Sequence, residues 1–227
     1  MENWLTRTES LIGKQKVQKL QKASIAIFGL GGVGSFAAEA LVRSGIGNLI
    51  CVDHDKIEES NINRQLLADT STIGISKVEV AKNRFLKINP NLNITIYPTF
   101  YKEETAKQLL SCSYDYIIDA IDSIPSKLHL IESAKKKNIP IISCMGTGNK
   151  LDPFLFEITD IAKTSVCPLA KIIRKELKKR KIEKVKVLFS KEPPHQEQTS
   201  STPASISFVP SIAGLMIAGE VIKDIIS

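Results

Sequence analysis

Ile25-Ala26-Ile27-Phe28-Gly29-Leu30-Gly31-Gly32-Val33-Gly34 is an apolar run of β-type residues that breaks into four glycines and resumes as Ala37-Ala38-Glu39-Ala40-Leu41. That order reads as a strand, a tight turn and a helix. Residues without a Cβ let the backbone turn sharply and let an anion approach the main chain. The exposed N–H groups at the positive end of the following helix favour negative charge there. The stretch is therefore read as a seat for a nucleotide phosphate. Gly29, Gly31 and Gly34 satisfy GxGxxG, with Gly32 beside them. After Gly45-Ile46-Gly47 a second strand, Asn48 to Val52, ends on Asp53, where a ribose-binding acid is expected. A glycine-rich turn can serve packing alone; the strand, turn, helix, strand and acid in sequence are what favour the nucleotide.

The rest of the chain fits this frame. At 227 residues there is room for one large α/β domain spanning 1–227 with a generous core. With 43% hydrophobic and 24% charged residues the composition is that of a soluble protein. No apolar run approaches the roughly 20 residues a membrane-spanning helix needs, so no membrane insertion is expected. Residues 1–22 predict an amphipathic lead-in helix carrying Arg7 and lacking the apolar core of a signal peptide, which points to the cytoplasm. Cys51, Cys112, Cys144 and Cys167 are scattered and form no CxxC, so neither a disulfide framework nor a four-cysteine zinc site is expected.

Downstream, Lys77 to Ile88 predicts a helix behind a Ser76 cap, and Ile94 to Thr99 a third strand. Glu103 to Leu110 predicts a helix and Tyr114 to Asp122 a strand ending in Asp119 and Asp122. A helix follows from Ser123 and Pro125 to Lys137, then a strand from Ile139 to Cys144. Strands and helices alternate, so right-handed crossovers give a mainly parallel, Rossmann-like, doubly wound sheet with helices on both faces. Beyond Gly146 the rhythm changes. Phe154 to Thr159 and Val185 to Ser190 predict strands that extend the sheet in mixed, antiparallel orientation around a helix from Pro168 to Lys181. Residues 191–204 carry no apolar period and are expected to be a mobile loop. A last strand is predicted at Ser205 to Val209, then an apolar helix from Ser211 to Ile226 with Gly214 and Gly219 allowing close approach.

Charge is concentrated. Lys171 to Lys186 holds nine basic and two acidic residues, leaving 22 of each sign elsewhere and placing the whole net charge of +7 in this block. Lys171, Arg174, Lys175, Lys178, Lys179, Arg180 and Lys181 form either a footprint for a polyanion or a solvated helix face. Around the phosphate seat, Arg64 can grip oxygens with its fork and Lys77 as a point charge. Asp122 at a strand end suits magnesium. These cations with a metal carboxylate favour ATP over NAD.

Gly29-x-Gly-Gly-Val-Gly34, Asp53-x-Asp55, Asn61-x-Asn-Arg64-Gln65, Gly74-x-x-Lys77 and Asp119-x-x-Asp122 resemble the adenylation domain of the ubiquitin-activating superfamily, which includes the bacterial ThiF, MoeB and HesA proteins. Within it, Arg7-Thr-Glu-Ser-Leu-Ile-Gly13, Met145-Gly-Thr-Gly-Asn-Lys-Leu-Asp-Pro153 and Lys163-Thr-Ser-Val-Cys-Pro-Leu-Ala170 are similar to the tRNA threonylcarbamoyladenosine dehydratases. The resemblance implies ATP held over Gly29 to Gly34, its ribose on Asp53, its phosphates met by Asn61, Arg64, Gln65 and Lys77, and magnesium on Asp122. Asp55 belongs to the same set. Arg7 resembles the arginine that reaches into a neighbouring subunit's ATP site, which implies a homodimer. The implied reaction is ATP-dependent cyclisation of a threonylcarbamoyl group on an anticodon-loop adenosine of tRNA, by way of an acyl-adenylate. A sulfur-relay accessory protein is a candidate partner.

Two departures bear on this. Many relatives hold zinc through paired CxxC motifs, whereas Cys167-Pro-Leu-Ala170 supplies one cysteine, so zinc is not expected. No cysteine follows Cys167, and Ser200-Ser201-Thr202 stand where thioester-forming relatives place one. Cys167 is read as a packing residue, and His54, His129 and His195 as structural or exposed. Two other readings stay open. One is an adenylyltransferase activating the C-terminus of a ubiquitin-like sulfur carrier; the other is an NAD-binding dehydrogenase or regulatory nucleotide-binding module.

Overall fold

The apolar residues of the first strand divide between two sides, as the two-residue period of a strand requires. In the computed structural model, which describes residues 4–195 and 203–227, Ile25 and Ile27 join one buried cluster while Ala26 and Phe28 join another. Seven strands among the described residues form one sheet: β1 (Ser24–Phe28), β2 (Asn48–Val52), β3 (Asn93–Tyr97), β4 (Tyr116–Asp119), β5 (Ile141–Cys144), β6 (Phe156–Asp160) and β7 (Lys186–Ser190). Their order is β3-β2-β1-β4-β5-β7-β6. All neighbours are parallel except β6 and β7, which pair antiparallel. The expected doubly wound sheet with an antiparallel extension is what forms.

One face is covered by α2 (Lys14–Lys22), α3 (Gly34–Arg43), α4 (Lys77–Ile88) and α8 (Phe208–Ile226), through Leu20, Leu41, Phe85 and Ile217. The other is covered by α5 (Glu103–Leu109), α6 (Ile124–Lys136) and α7 (Pro168–Lys179), through Leu109, Ile131 and Ile173. Side chains like these are worth about 1.5–3 kcal/mol each when fully buried. Cores on both faces thus hold the strand ends rigidly in register. Phe28 pairs with Val52 on one side and Asp119 on the other, and Asp119 pairs with Ser143. Asp53, Gly29, Ala120 and Cys144 therefore follow one another along a single rim.

Several local expectations need correction. The lead-in is two helices, α1 (Thr6–Ile12) and α2, separated by Gly13 at φ 88°. Leu5, Val17 and Leu20 are buried, but Leu11 is 84% exposed. No strand forms at 205–209. Instead α8 begins at Phe208, with Pro210 in its first turn, where a missing N–H costs no intrahelical bond. The alternation from Ile206 to Val209 is too short to tell a strand from the start of a helix that buries Val209 and Pro210. Gly214 packs as expected, since a Cβ there would lie 2.3 Å from the Val33 carbonyl oxygen, whereas a Cβ at Gly219 would meet nothing within 4 Å. The basic helix stops at Lys179. Lys181 then takes φ 55°, and the Ile182 N–H donates to the Leu177 carbonyl at 3.0 Å, which closes the helix end. Ser76 precedes α4, yet its buried hydroxyl caps nothing. Of the loop expected at 191–204, residues 196–202 lie outside the described residues. No helix among the described residues is long and apolar enough to cross a membrane.

Candidate active site

Strand order reverses between β1 and β4, and a doubly wound sheet opens a crevice at such a point, beyond the strand carboxyl ends. A cavity of about 440 Å³ lies there, with Gly29, Gly31, Gly32, Asp53, Asp55, Asn61, Arg64, Gln65, Lys77 and Asp122 among its lining residues.

The glycines do different jobs. Gly29 has φ 93°, and a Cβ on it would sit 2.5 Å from the Ala120 carbonyl oxygen; a Cβ on Gly34 would sit 1.8 Å from that of Gly29. These two let β1, β4 and α3 close up. At Gly31 the nearest atom to an added Cβ is Gln65 Nε2, at 3.9 Å, so no protein group claims that space. Among the described residues, the Gly31 and Gly32 N–H groups have no protein acceptor. They stand ahead of the N-terminus of α3, whose dipole adds positive potential.

Asp53 is buried at the end of β2. One oxygen accepts from the Leu30 N–H at 2.6 Å and the other from the Asp55 N–H at 2.8 Å. The carboxylate thus ties the glycine turn to the neighbouring loop. Lys77, on the first turn of α4, has its side chain 6% exposed and its Nζ 2.6 Å from Asp55 Oδ2. His54 Nε2 lies 3.2 Å from the other Asp55 oxygen, and its ring meets Phe100 edge-on with centroids 4.7 Å apart. Asn61 is buried and accepts from the Glu58 N–H at 3.2 Å. Arg64 is held by the Ser60 carbonyl and Asn63 Oδ1, each at 2.8 Å. Gln65 is 8% exposed, and its Oε1 is buried without a hydrogen-bond partner among the described residues. A polar atom left unpaired in this way costs about 1–3 kcal/mol.

Asp119 and Asp122 part company. Asp119 is fully buried, accepting from Lys127 Nζ at 2.9 Å and Ser143 Oγ at 2.5 Å, while its other oxygen takes the Ile121 N–H at 3.1 Å. Lys127 is also fully buried and donates to the Cys144 carbonyl. This cluster fixes the loop that presents Asp122. Asp122 is exposed on the cavity wall with no protein partner among the described residues.

Sequence reasoning missed Lys127, His54 as a lining residue, and Phe100 and Tyr101 after β3. Only the neighbours that the fold brings to Lys127 reveal its role. Tyr101 packs edge-on against Phe28, and burial pushes its hydroxyl up to about 12. Arg7 is exposed on α1 and does not line this cavity. The basic residues of α7 do not line it either. Arg174 donates to the Thr164 carbonyl at 2.7 Å, Lys179 pairs with Glu176 at 2.6 Å and Arg180 with Glu132 at 2.9 Å. Lys171, Lys175, Lys178 and Lys181 are exposed with no carboxylate in ion-pair range among the described residues. Cys144 and Cys167 are buried, and burial pushes the Cys144 thiol up to about 12.

Known proteins resemble this chain over nearly its whole length. The chain is 42% identical over 243 residues to the tRNA threonylcarbamoyladenosine dehydratase of Bacillus subtilis, covering 100% of this chain and 96% of that one. It superposes on crystal structures of the E. coli tRNA N6-threonylcarbamoyladenosine dehydratase, TcdA. The complex with AMP gives a TM-score of 0.91 at 34% identity over 96% of this chain and 92% of that one. The complex with ATP gives 0.90 at 33%, with the same coverage. A more distant relative is the Drosophila virilis adenylyltransferase and sulfurtransferase MOCS3, 36% identical over 134 residues, which is 59% of this chain and 29% of that protein. The model of the ThiF family matches residues 5–227. The chain belongs to the ThiF family.

Proposed function

We propose that this chain is an ATP-dependent enzyme that activates the carboxylate of the threonylcarbamoyl group on a tRNA adenosine and closes it into a ring, with net loss of water. The observation that carries this reading is the crevice at the switch point. There, unpaired Gly31 and Gly32 N–H groups stand with Lys77, Arg64 and Gln65 around space that no side chain fills. Relatives alike over nearly their whole length carry the same activity in their names, and one has been crystallised with ATP and with AMP.

In this reading Asp53 receives the ribose, and the glycine N–H groups receive phosphate oxygens with Asn61, Arg64 and Lys77. Lys77 is already desolvated against Asp55, so phosphate oxygens exchange one anionic partner for another. Asp122 is the carboxylate that would hold magnesium, whose chemistry there is to neutralise phosphate charge. A carboxylate resists nucleophilic attack until one of its oxygens can leave. Attack of that oxygen on the α-phosphorus releases pyrophosphate. An internal nucleophile of the same group then attacks the acyl carbon, AMP departs with the former carboxylate oxygen, and one proton is released.

The partner assignments follow the same logic. Arg7 sits exposed on α1, away from its own cavity, which suits a residue offered to the other half of a homodimer. Lys171, Lys175, Lys178 and Lys181 are free to meet RNA phosphates, and the enzyme works in the cytoplasm where tRNA is. With no cysteine after Cys167, a thioester stage is left out of the scheme. The test is pyrophosphate release in the presence of ATP. Stimulation by tRNA bearing threonylcarbamoyladenosine is expected; stimulation by a ubiquitin-like carrier protein alone would replace this reading with the adenylyltransferase one.

A further inference from the structure

A second cavity, of about 390 Å³, opens beside the first and shares with it Val33, Asp122, Thr147 and Gly148. Its size falls within the roughly 300–1,000 Å³ of small-molecule sites. Two stretches build most of it. Met145 to Lys150, leaving the end of β5, form one wall, and Cys167, Pro168 and Leu169, at the start of α7, form another. They belong to two of the three motifs that set this chain apart within its superfamily, and of them only Thr147 and Gly148 also line the first cavity. Pro194 and Pro203 complete the lining. They are held in place by Asn149, which accepts the His195 N–H at 3.0 Å and bonds both the N–H and the carbonyl of Ala204, at 2.7 and 2.8 Å. Gly148 lets Pro203 sit close, because a Cβ there would lie 2.8 Å from Pro203 Cβ.

Within this mainly apolar chamber stands one buried cation. Lys150 is 4% exposed, and its Nζ donates to the Glu192 carbonyl oxygen. Among the described residues no carboxylate lies within ion-pair distance of it. The carboxylate of Glu192 is turned to the Leu151 and Asp152 N–H groups, at 2.9 and 3.0 Å, and to His195. A buried ammonium bonded only to a carbonyl keeps two donors for an anion. The anion it suits is one that enters from the apolar side and ends near Asp122, beside the phosphates.

We propose that this second chamber, lined by Lys150, Met145 and Leu169, is the acceptor site of the enzyme, binding the small carboxylic-acid arm of the nucleoside with Lys150 holding its carboxylate toward the ATP cavity. This rests on the function proposed above. The apolar walls take the short aliphatic part of the arm. Lys150 sets the direction of the carboxylate and is a substrate-binding residue.

The test combines variants with a soak that needs no turnover. Lys150→Met is expected to raise the KM for threonylcarbamoyl-tRNA by roughly 10- to 150-fold, the range for loss of one charge-assisted hydrogen bond. ATP affinity should stay within about twofold of wild type, because only uniform binding of the acid is lost. Lys150→Arg should recover part of the loss. Leu169→Trp, which fills the chamber without touching the lysine, should give the same split between a raised KM and unchanged ATP binding. Unchanged KM in both variants, each melting like wild type, would overturn the proposal. Separately, crystals holding a non-hydrolysable ATP analogue are soaked with N-carbamoyl-L-threonine, the arm without its base. Density between Lys150 and Asp122 in wild type, lost in Lys150→Met, is expected; an empty chamber, or density elsewhere, would overturn the proposal. Should wild type leave modified tRNA unchanged, the proposed function falls while the soak still decides the chamber.

Discussion

Replacing Gly31 with alanine separates binding from folding more cleanly than any other change in the glycine turn. An added Cβ would stand 3.9 Å from its nearest neighbour, Gln65 Nε2, which is ordinary contact, and the residue does not occupy the left-handed region. Gly→Ala at such a position changes stability by about 0.4–1 kcal/mol in the favourable direction, through the unfolded chain. The methyl group does, however, stand where a phosphate must approach the Gly31 and Gly32 N–H groups. Losing one charge-assisted hydrogen bond, about 1.5–3 kcal/mol, corresponds to a fall in ATP affinity of roughly 10- to 150-fold. Gly34→Ala is the counterpart. Its Cβ would lie 1.8 Å from the Gly29 carbonyl oxygen, so the cost goes to folding and exceeds the usual overpacking range of about 1–3 kcal/mol. Calorimetric titration with ATP beside thermal unfolding reads both quantities. Gly31→Ala that binds ATP as wild type does, or that melts several degrees lower, would refute the assignment of this turn as the phosphate seat.

Other outcomes follow from the same geometry. Lys127→Met strands the Asp119 carboxylate in the core, which costs about 3–5 kcal/mol and lowers the melting temperature by roughly 10 °C for a chain of this size. Adding Asp119→Asn should recover part of that in the same melting scan. Charge reversal at Lys171, Lys175, Lys178 or Lys181 should weaken tRNA binding at unchanged ATP affinity and flatten its salt dependence by about 0.7–0.9 per phosphate contact removed. Reversal at Lys179 or Arg180, already paired, should do less; equal binding across a salt series would leave α7 a solvated face. Burial raises the Glu39 carboxyl, but hydrogen bonds and charge from Arg84 and Arg43 outweigh it and hold the group below its ordinary 4.5. Its stabilising contribution is therefore complete above about pH 4.5 and lost as pH falls through the lowered value. Denaturant titrations should show wild type losing stability faster than Glu39→Gln below that point.

The parts of this molecule legible in its sequence are those that local rules decide. The apolar run from Ile25 to Phe28 and the glycines after it read as strand, turn and helix, and with Asp53, Arg64, Lys77 and Asp122 they mark residues that line one cavity. What escaped depends on tertiary neighbours. Asp119 and Asp122 look equivalent in sequence, yet one closes a buried cluster with Lys127 and Ser143 while the other faces the cavity. Nothing near Lys127 in the chain shows that its ammonium would be fully enclosed. Gly13 splits the lead-in because its φ of 88° admits a turn that helical periodicity does not register. The stretch before α8 fits a strand or a helix start because so short an apolar pattern satisfies either period, and packing against the glycine turn decides it: Pro210 Cβ lies 3.1 Å from where a Cβ on Gly32 would stand. The second chamber is not legible in the sequence, because only the fold brings Met145 to Lys150 and Cys167 to Leu169 together around one cavity.

In the proposed function the pocket at the switch point powers ring closure on tRNA. The most direct measurement is mass spectrometry of nucleosides from threonylcarbamoyl-tRNA incubated with the pure protein, ATP and magnesium, with pyrophosphate counted in parallel. A nucleoside lighter by one water is expected, formed one for one with pyrophosphate and absent when ATP is withheld. Unaltered nucleosides in the presence of protein that binds both ATP and the tRNA would contradict it.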